Sequence, residues 1–212
     1  CEGMQLTNFF FSGGPVMYPL LFCSVLVLFV VIERLFFWLT IDMQRNRDLL
    51  DEVLELCRRG MWDDVREKVR GSRDFVIRIL VTGIVHRDYS MSKAMESAAT
   101  EELQRMGRFM GALDTMITVA PLLGILGTVI GIIDSFEVLG SAGIDDPRAV
   151  TGGIAQALVT TAAGLAIAIF AVFPYNYFRS RLRRAAHVIE QYATSLEIVY
   201  EKLGQDTSGQ EE

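Results

Sequence analysis

The sequence predicts an all-α membrane protein with three transmembrane helices, two of them extended as long cytoplasmic helices, plus a small cytoplasmic helical insertion. Residues 3–32, 115–133 and 149–178 contain no Asp, Glu, Lys or Arg. Each stretch can hold the roughly 20 apolar residues that cross about 30 Å of hydrocarbon. The charged residues lie almost wholly between and after these stretches, which indicates that the connections are exposed to water.

The three spans divide the rest of the chain into segments. The spans are predicted at residues 16–39, 115–138 and 149–173. The other segments are an outer (periplasmic) segment 1–15, a cytoplasmic helical insertion 40–114, a periplasmic turn 139–148, a cytoplasmic helix 174–203 and a disordered tail 204–212. No basic region precedes the first span and no small-residue cleavage pattern follows it, so it is predicted to be a retained span and not a signal peptide.

Basic residues beside the spans predict the orientation. One side carries Arg34, Arg45, Arg47, Arg105, Arg108, Arg179, Arg181, Arg183 and Arg184. The other side carries only Arg148. The positive-inside rule therefore places the N-terminus outside and the C-terminus in the cytoplasm. At the inner end of the first span, Glu33 and Arg34 are expected to extend toward the headgroups.

The insertion shows the spacing of amphipathic helices. Leu50, Val53, Leu54 and Cys57 follow the i, i+3, i+4, i+7 pattern, and Gly60 interrupts it. A second helix is indicated by Met61, Val65 and Val69. The two together predict a small helical hairpin.

Two long cytoplasmic helices are expected: one runs into the second span, and the other continues from the third. No Pro and no turn cluster occurs between Ser92 and Pro121, which predicts one unbroken helix into the second span. After Pro174, apolar residues recur with the heptad spacing of a coiled-coil-like seam. The seam contains Leu182, Ala185, Ile189, Tyr192, Leu196, Val199 and Leu203. It requires another helix against it, from the same chain or from a neighbour.

The second and third spans are rich in small and polar residues. These are Thr118, Gly124, Gly127, Thr128 and Gly131, then Thr151, Gln156, Thr160, Thr161 and Gly164. Spans of this composition pack closely on protein or face water. Gly127 and Gly131 form a GxxxG pair, and Thr160, Gly164 and Ala168 continue a small-residue stripe, so tight helix packing is the main interpretation for the glycines.

The polar side chains in these spans leave two interpretations open. Thr128 and Thr161 could line a wet pore, or each could bond a carbonyl of its own helix and have no further role. Gln156 carries an amide that needs partners or water at membrane depth, and packing and pore roles both satisfy that need.

The sequence lacks the residue patterns that several kinds of chemistry require. No Asp, Glu, Lys, Arg or His lies near the middle of a span, so the chain has no obvious proton carrier of its own. Cys1, Cys23 and Cys57 have no metal or redox spacing. No Gly-rich phosphate loop or triad-like set occurs, so no enzyme and no cofactor are predicted.

Two stretches resemble the paired signature of the MotA/TolQ/ExbB proton-channel family. They are LGILGTVIGI at 123–132 and GIAQALVTTAAGL at 153–165. The three-span layout, the Glu33-Arg34 ending and the large insertion are similar to the ExbB/TolQ branch, whereas MotA-type chains have four spans. At the position of Gln156 many ExbB and TolQ proteins carry Glu, so this chain departs from the pattern there.

The resemblance implies a function and partners. It implies a homopentamer in the bacterial inner membrane whose second and third spans surround a pore, with Thr128 and Thr161 lining the proton route. The titratable aspartate would belong to an ExbD- or TolR-like single-span partner, and a TonB- or TolA-like protein would transmit the work to the outer membrane. The alternative is a non-conducting structural scaffold whose threonines only join helices.

Overall fold

The computed structural model describes residues 13–142 and 147–208, which form seven helices and no strand. The helices are α1 (Met17–Gln44), α2 (Arg47–Arg58), α3 (Trp62–Lys68), α4 (Phe75–Val85), α5 (Arg87–Met106), α6 (Met110–Ala142) and α7 (Pro147–Ser208). Three of them, α1, α6 and α7, contain apolar stretches long enough to cross a membrane. The predicted all-α class with three spanning helices is therefore confirmed.

The helices belong to two compact units. Among the described residues, the first unit contains 13–34 together with those of Phe109–Phe178, and the second contains Leu35–Arg108 together with 179–208. The first unit holds most of the first predicted span and the described residues of the other two. The predicted outer segment falls mostly on residues 1–12 and part of the predicted turn falls on residues 143–146, so both lie largely outside the described residues.

The first unit packs the start of α1 against α6 and α7. Its buried cluster consists of Val16, Met17, Leu20 and Ala120, with Leu123, Ile130, Ala163 and Ile167 packed against it. Much of the remaining apolar surface is exposed, for example Phe22, Phe29 and Phe170 at 65%, 63% and 76%. Side chains of this size on a helix surface require cover from lipid or from neighbouring protein.

Arg34 does not extend toward the headgroups, so that expectation is wrong for this residue. Its side chain is only 2% exposed, and its Nε and Nη2 atoms donate to Glu33 at 2.5 and 2.6 Å. The guanidinium also lies over the ring of Phe109, 5.7 Å from the centroid. A buried arginine needs such a carboxylate, because removing an unpaired charge from water is costly.

The second unit contains the helical hairpin of the insertion. Leu50, Val53, Leu54 and Cys57 are buried on one face of α2, and Val65 and Val69 are buried beside them. Gly60 adopts φ +72°, a left-handed conformation that suits glycine, at the turn between the helices. Met61 is partly exposed at 37%.

The apolar helix α4 supplies much of the core of the second unit. Its buried residues are Phe75, Val76, Ile77, Ile79, Leu80, Gly83 and Ile84. The sequence patterns used above did not identify it, although an Asp directly before an apolar run is a helix-start signal. Asp74 is buried, and its carboxylate accepts hydrogen bonds from the N–H groups of Val76 at 2.8 Å and Asn46 at 3.0 Å. One side chain therefore caps α4 and holds the residue that caps α2.

The helix predicted to run unbroken from Ser92 into the second span is interrupted, so that prediction is wrong. Helix α5 ends at Met106 and α6 begins at Met110. Phe109 adopts φ +64°, a left-handed conformation that the α-helical hydrogen-bond pattern does not continue through. The N–H of Leu113 then donates to the Phe109 carbonyl at 3.2 Å, which starts the new helix.

The heptad seam of α7 is covered by helices of the same chain. Ala185, Ile189 and Leu196 are buried within the second unit. The Tyr192 hydroxyl donates to Asp51 at 3.3 Å. Helix α7 continues to Ser208, so residues 204–208 are helical where a disordered tail was predicted, and residues 209–212 lie outside the described residues.

Replacing Asp74 with Ala is expected to lower the thermal midpoint of unfolding of the full chain in detergent. The variant leaves two helix-start N–H groups without their acceptor, and losing one such cap costs about 1 kcal/mol. Asp63→Ala, at an exposed position in the first turn of α3, is the matched control. Equal midpoints for the two variants in circular dichroism melts would contradict the capping role.

The thiol of Cys57 is expected to resist alkylation in the folded protein. Burial raises the pKa of Cys57 from 9.0 to about 11, so the reactive thiolate is scarce at pH 8. Because the folded-state pKa is the higher one, this group weakens the folded state as pH rises from 9 toward 11. Iodoacetamide labelling followed by peptide mass spectrometry checks this, with denatured protein as the control. Rapid labelling of Cys57 in folded protein at pH 8 would show that the site is open.

Candidate functional site

The candidate site lies where α6 and α7 pack against each other. Contacts along the two helices run in opposite order, as in an antiparallel pair. From the start of α6 toward its end, the pairs are Ala120 with Gly164, Gly124 with Thr161, Gly127 with Thr160, Gly131 with Ala157, and Ser135 with Gly153. Every member is a small residue, so the two backbones approach closely.

Glycines at this contact have no room for a side chain. A Cβ on Gly124 would lie 3.0 Å from the Thr161 Cα and 3.1 Å from the Thr160 carbonyl oxygen. A Cβ on Gly164 would overlap the carbonyl oxygen of Ala120, and one on Gly131 would lie 2.8 Å from the Ala157 Cβ. The neighbours are mostly backbone atoms, which cannot move aside as a flexible side chain can.

Thr160 fills the space left by Gly127. It is 1% exposed, and its hydroxyl donates to the Ala157 carbonyl of its own helix at 2.6 Å. A Cβ on Gly127 would overlap the Thr160 hydroxyl. The structure thus brings the predicted packing residues Gly124, Gly127, Gly131, Thr160 and Gly164 into one continuous contact.

Thr161 makes a hydrogen bond that crosses between the spans. Its hydroxyl donates to the Gly124 carbonyl of α6 at 2.8 Å. The sequence left a bond to its own helix as one interpretation, and the structure shows a bond to the other helix instead. The side chain is only partly buried, so the hydroxyl lies at the border of the packed contact.

Thr128 behaves differently from Thr161. Its hydroxyl donates to the Ile125 carbonyl of its own helix at 2.6 Å, and its side chain is half-buried. The two hydroxyls do not bond each other among the described residues. Thr128 follows Gly127 directly, so it borders the same contact from the α6 side.

Gln156 lies against the residues that precede α1. A Cβ on Gly14 would overlap the Gln156 amide nitrogen and lie 3.4 Å from its Cδ. Gly14 has φ +68°, so it needs glycine for its backbone as well as for space. The sequence treated packing and pore roles of Gln156 as equal, and this geometry favours a packing role.

Ser135 is a residue of the contact that the sequence patterns missed. It is 4% exposed, its hydroxyl donates to the Gly131 carbonyl at 2.7 Å, and a Cβ on Gly153 would overlap that hydroxyl. The available signal was its spacing, since Ser135 lies four residues after Gly131 and eight after Gly127. The small-residue stripe of α6 therefore extends one turn further toward the end of that helix.

The site offers hydroxyls, an amide and backbone carbonyls, without an ionisable group. No Asp, Glu, Lys, Arg or His occurs in 115–133 or 149–178. Among the described residues no group of three or more His, Cys, Asp or Glu is placed to hold a metal ion. Residues 115–133 and 149–178 therefore offer no carboxylate, amine, guanidinium or imidazole to take up a proton.

Known proteins share this sequence pattern. Residues 73–191 match the model of the MotA/TolQ/ExbB proton channel family. An ExbB-like biopolymer transport protein of Synechocystis is 36% identical over 199 residues, which cover 91% of this chain and 93% of the relative. The biopolymer transport protein ExbB of Neisseria meningitidis is 32% identical over 89% of this chain and 91% of its own length. The Tol-Pal system protein TolQ of Haemophilus influenzae is 38% identical over 47% of this chain and 42% of its own length.

Replacing Gly164 with Ala is expected to lower the thermal stability of the purified chain in detergent by several degrees. The new Cβ overlaps the Ala120 carbonyl, and this clash outweighs the roughly 1 kcal/mol by which Ala favours a helix over Gly. Gly152→Ala on the same helix is the matched control, because a Cβ there meets nothing within 4 Å. A Gly164→Ala protein as stable as the Gly152→Ala protein would contradict the close approach.

Proposed function

This chain belongs to the MotA/TolQ/ExbB proton channel family, and we propose that it is the ExbB/TolQ-type scaffold subunit of a motor driven by the proton motive force. It is a multi-pass membrane protein with three spans. The observation that carries the proposal is the α6–α7 contact, which places the Thr161 hydroxyl at its border while residues 115–133 and 149–178 contain no Asp, Glu, Lys, Arg or His. A proton route along this contact needs a titratable group from another chain.

The partner in this proposal is a single-span ExbD- or TolR-like protein that carries the titratable aspartate. Protons from the outer side would reach that carboxyl through water held near Thr128 and Thr161, and would leave to the cytoplasm. Both hydroxyls already donate to carbonyls, and each keeps lone pairs that can accept from water. Each protonation would change how the partner helix sits against α6 and α7.

The energy available is sufficient for such a step. One charge that crosses 100 mV releases about 2.3 kcal/mol, which is several times RT. That is enough to bias one conformational change of the partner against the scaffold. In this proposal the chain positions the partner helix and holds water, and it catalyses no covalent reaction. It therefore acts as a channel-forming scaffold and not as an enzyme.

In this proposal the α6–α7 contact makes the scaffold rigid. Five pairs of small residues hold α6 and α7 with backbone atoms in contact. The Gln156 amide, packed against Gly14, adds the start of α1 to the same assembly. In this role Gln156 stays neutral and orients helices, in keeping with its amide side chain.

The assembly proposed is a homopentamer in the bacterial inner membrane, with the N-terminus periplasmic and the C-terminus cytoplasmic. The exposed apolar side chains of the first unit support further packing partners, either neighbouring copies or lipid. The basic residues on one side of the spans support the orientation. A TonB- or TolA-like protein would carry the motion to the outer membrane.

A passive scaffold is the second candidate function. One observation favours it: the hydroxyls of Thr128, Thr160 and Thr161 each donate to a backbone carbonyl, which is all that helix packing requires. In this case the threonines would join helices and no proton would pass beside them.

Thr161→Val is expected to abolish activity that depends on the proton motive force while the complex still assembles. Valine keeps the shape of threonine and removes the hydroxyl, and a hydrogen bond of this kind in a membrane contributes only about 0.6 kcal/mol to stability. The measurement is growth of cells that depend on the complex, together with co-purification of the partner chain. Thr161→Ser retains the hydroxyl and should restore most of the activity, and Thr128→Val should also lose activity.

Thr160→Val is the matched control for this experiment. Thr160 is the adjacent residue, it is fully buried, and its hydroxyl bonds only its own helix. The proposal expects Thr160→Val to stay active once assembled. Normal growth with both Thr161→Val and Thr128→Val would argue against the proton route, and loss of assembly in all three variants would support the passive scaffold.

A further inference from the structure

Two adjoining cavities in the second unit are lined by arginine. The first has a volume of about 270 Å³, and its arginines are Arg73, Arg78 and Arg105. The second has a volume of about 180 Å³, and its arginines are Arg45, Arg181 and Arg184. Both cavities share Ile41 and Phe75 in their walls. We refer to the two cavities with these six arginines as the arginine cleft.

The arginine cleft has an excess of positive charge. Among the described residues that line the two cavities, the carboxylates are Glu102 in the first and Asp42 in the second. Glu102 pairs with Arg78 and, at 3.9 Å, with Arg105, and Asp42 pairs with Arg181. Six guanidinium groups against two carboxylates leave four positive charges around a small volume. Such a field favours an anion in the cleft.

Arg45 shows that the cleft has an unsatisfied donor. Its Nε–H is buried and has no hydrogen-bond partner in the described structure. The guanidinium stacks over the ring of Phe75, with 5.6 Å to the centroid, which fixes its plane. A buried donor left without a partner is unfavourable, so an acceptor placed in the cleft would stabilise it.

The cleft begins where the hydrocarbon region should end. The first predicted span covers residues 16–39, and α1 continues beyond it to Gln44. The cleft takes wall residues from the last turn of this span and from the turn after it, Phe37, Trp38 and Ile41. Its arginines therefore lie at headgroup level, beside aromatic and aliphatic side chains.

We infer that the arginine cleft binds the phosphate headgroup of an anionic phospholipid. Guanidinium groups recognise phosphate oxygens through paired N–H donors, and basic pockets on the cytoplasmic side of membrane proteins bind anionic headgroups. The aromatic and aliphatic walls favour a lipid over free inorganic phosphate, since they offer contact to the glycerol and upper acyl carbons. This inference uses the membrane topology and requires no proton route.

A role of the arginines in setting the membrane orientation does not by itself explain their partial burial around the cleft. Positive charges that only orient a protein can lie anywhere beside a span and gain from full hydration. Here Arg45 buries its Nε and packs on Phe75, and Arg181 is only 21% exposed and packs on Trp38 at 5.2 Å. Partial burial of arginine around a cavity has a cost that a bound anion offsets.

The test uses the purified full chain in neutral detergent and native mass spectrometry. Equal amounts of phosphatidylglycerol and phosphatidylcholine with identical acyl chains are added, and the ratio of the two bound lipids is measured. The cleft variant carries Arg45→Gln and Arg73→Gln, because the described structure shows no ion pair for either residue. The control carries Arg58→Gln and Arg59→Gln, which remove the same charge from exposed arginines paired with Glu55.

We expect the wild type and the control variant to prefer phosphatidylglycerol and the cleft variant to lose most of that preference. A basic residue near a lipid headgroup strengthens binding about fivefold, so two should lower the preference by about twenty-five-fold.

Circular dichroism melts confirm that each variant is folded. An unchanged preference in the folded cleft variant, or no preference in the wild type, would overturn the inference. Displacement of the bound lipid by millimolar inorganic phosphate would overturn the lipid assignment in favour of a free phosphate ligand. Because no partner chain is present, these outcomes are independent of the proposed proton route.

Discussion

The close approach of α6 and α7 is the constraint on which the membrane unit depends. In hydrocarbon there is little hydrophobic driving force between helices, so association relies on packing and on hydrogen bonds. Gly164 at the Ala120 carbonyl and Gly131 at Ala157 allow the backbones to touch. That approach brings the Gly124 carbonyl within 2.8 Å of the Thr161 hydroxyl, a bond that larger residues at these positions would prevent.

The threonine hydroxyls of this contact point in different directions, and this distinguishes a packing residue from a candidate for the proton route. Thr160 and Thr161 are neighbours in sequence, yet a step of about 100° around the helix buries the first completely and leaves the second at the border. Thr160 bonds its own helix and Thr161 bonds α6. The amide of Gln156 lies on a third side, toward Gly14. One helix thus presents three polar side chains to three different surroundings.

Two buried charged groups among the described residues are satisfied by their partners. Arg34 in the first unit pairs with Glu33 and packs on Phe109. Asp74 in the second unit accepts from two backbone N–H groups at the starts of α2 and α4. These arrangements agree with the rule that a buried polar group must find its hydrogen bonds inside the protein. The buried Nε of Arg45 and the buried Nε1 of Trp38 depart from that rule, and both residues line the second cavity of the arginine cleft.

The sequence by itself determined the helical class, the number of spans and the small residues that line their contact. Charge-free stretches and four-residue spacing carry that information, because lipid excludes charge and a helix repeats every 3.6 residues. The sequence could not determine the helix break at Phe109, the burial of Arg34, the core helix α4 or the partners of Thr161 and Gln156. Each of these depends on contacts with atoms of other helices. The periodicity of a local stretch of sequence does not specify those contacts. The tertiary structure therefore decided where each polar group finds its hydrogen bond.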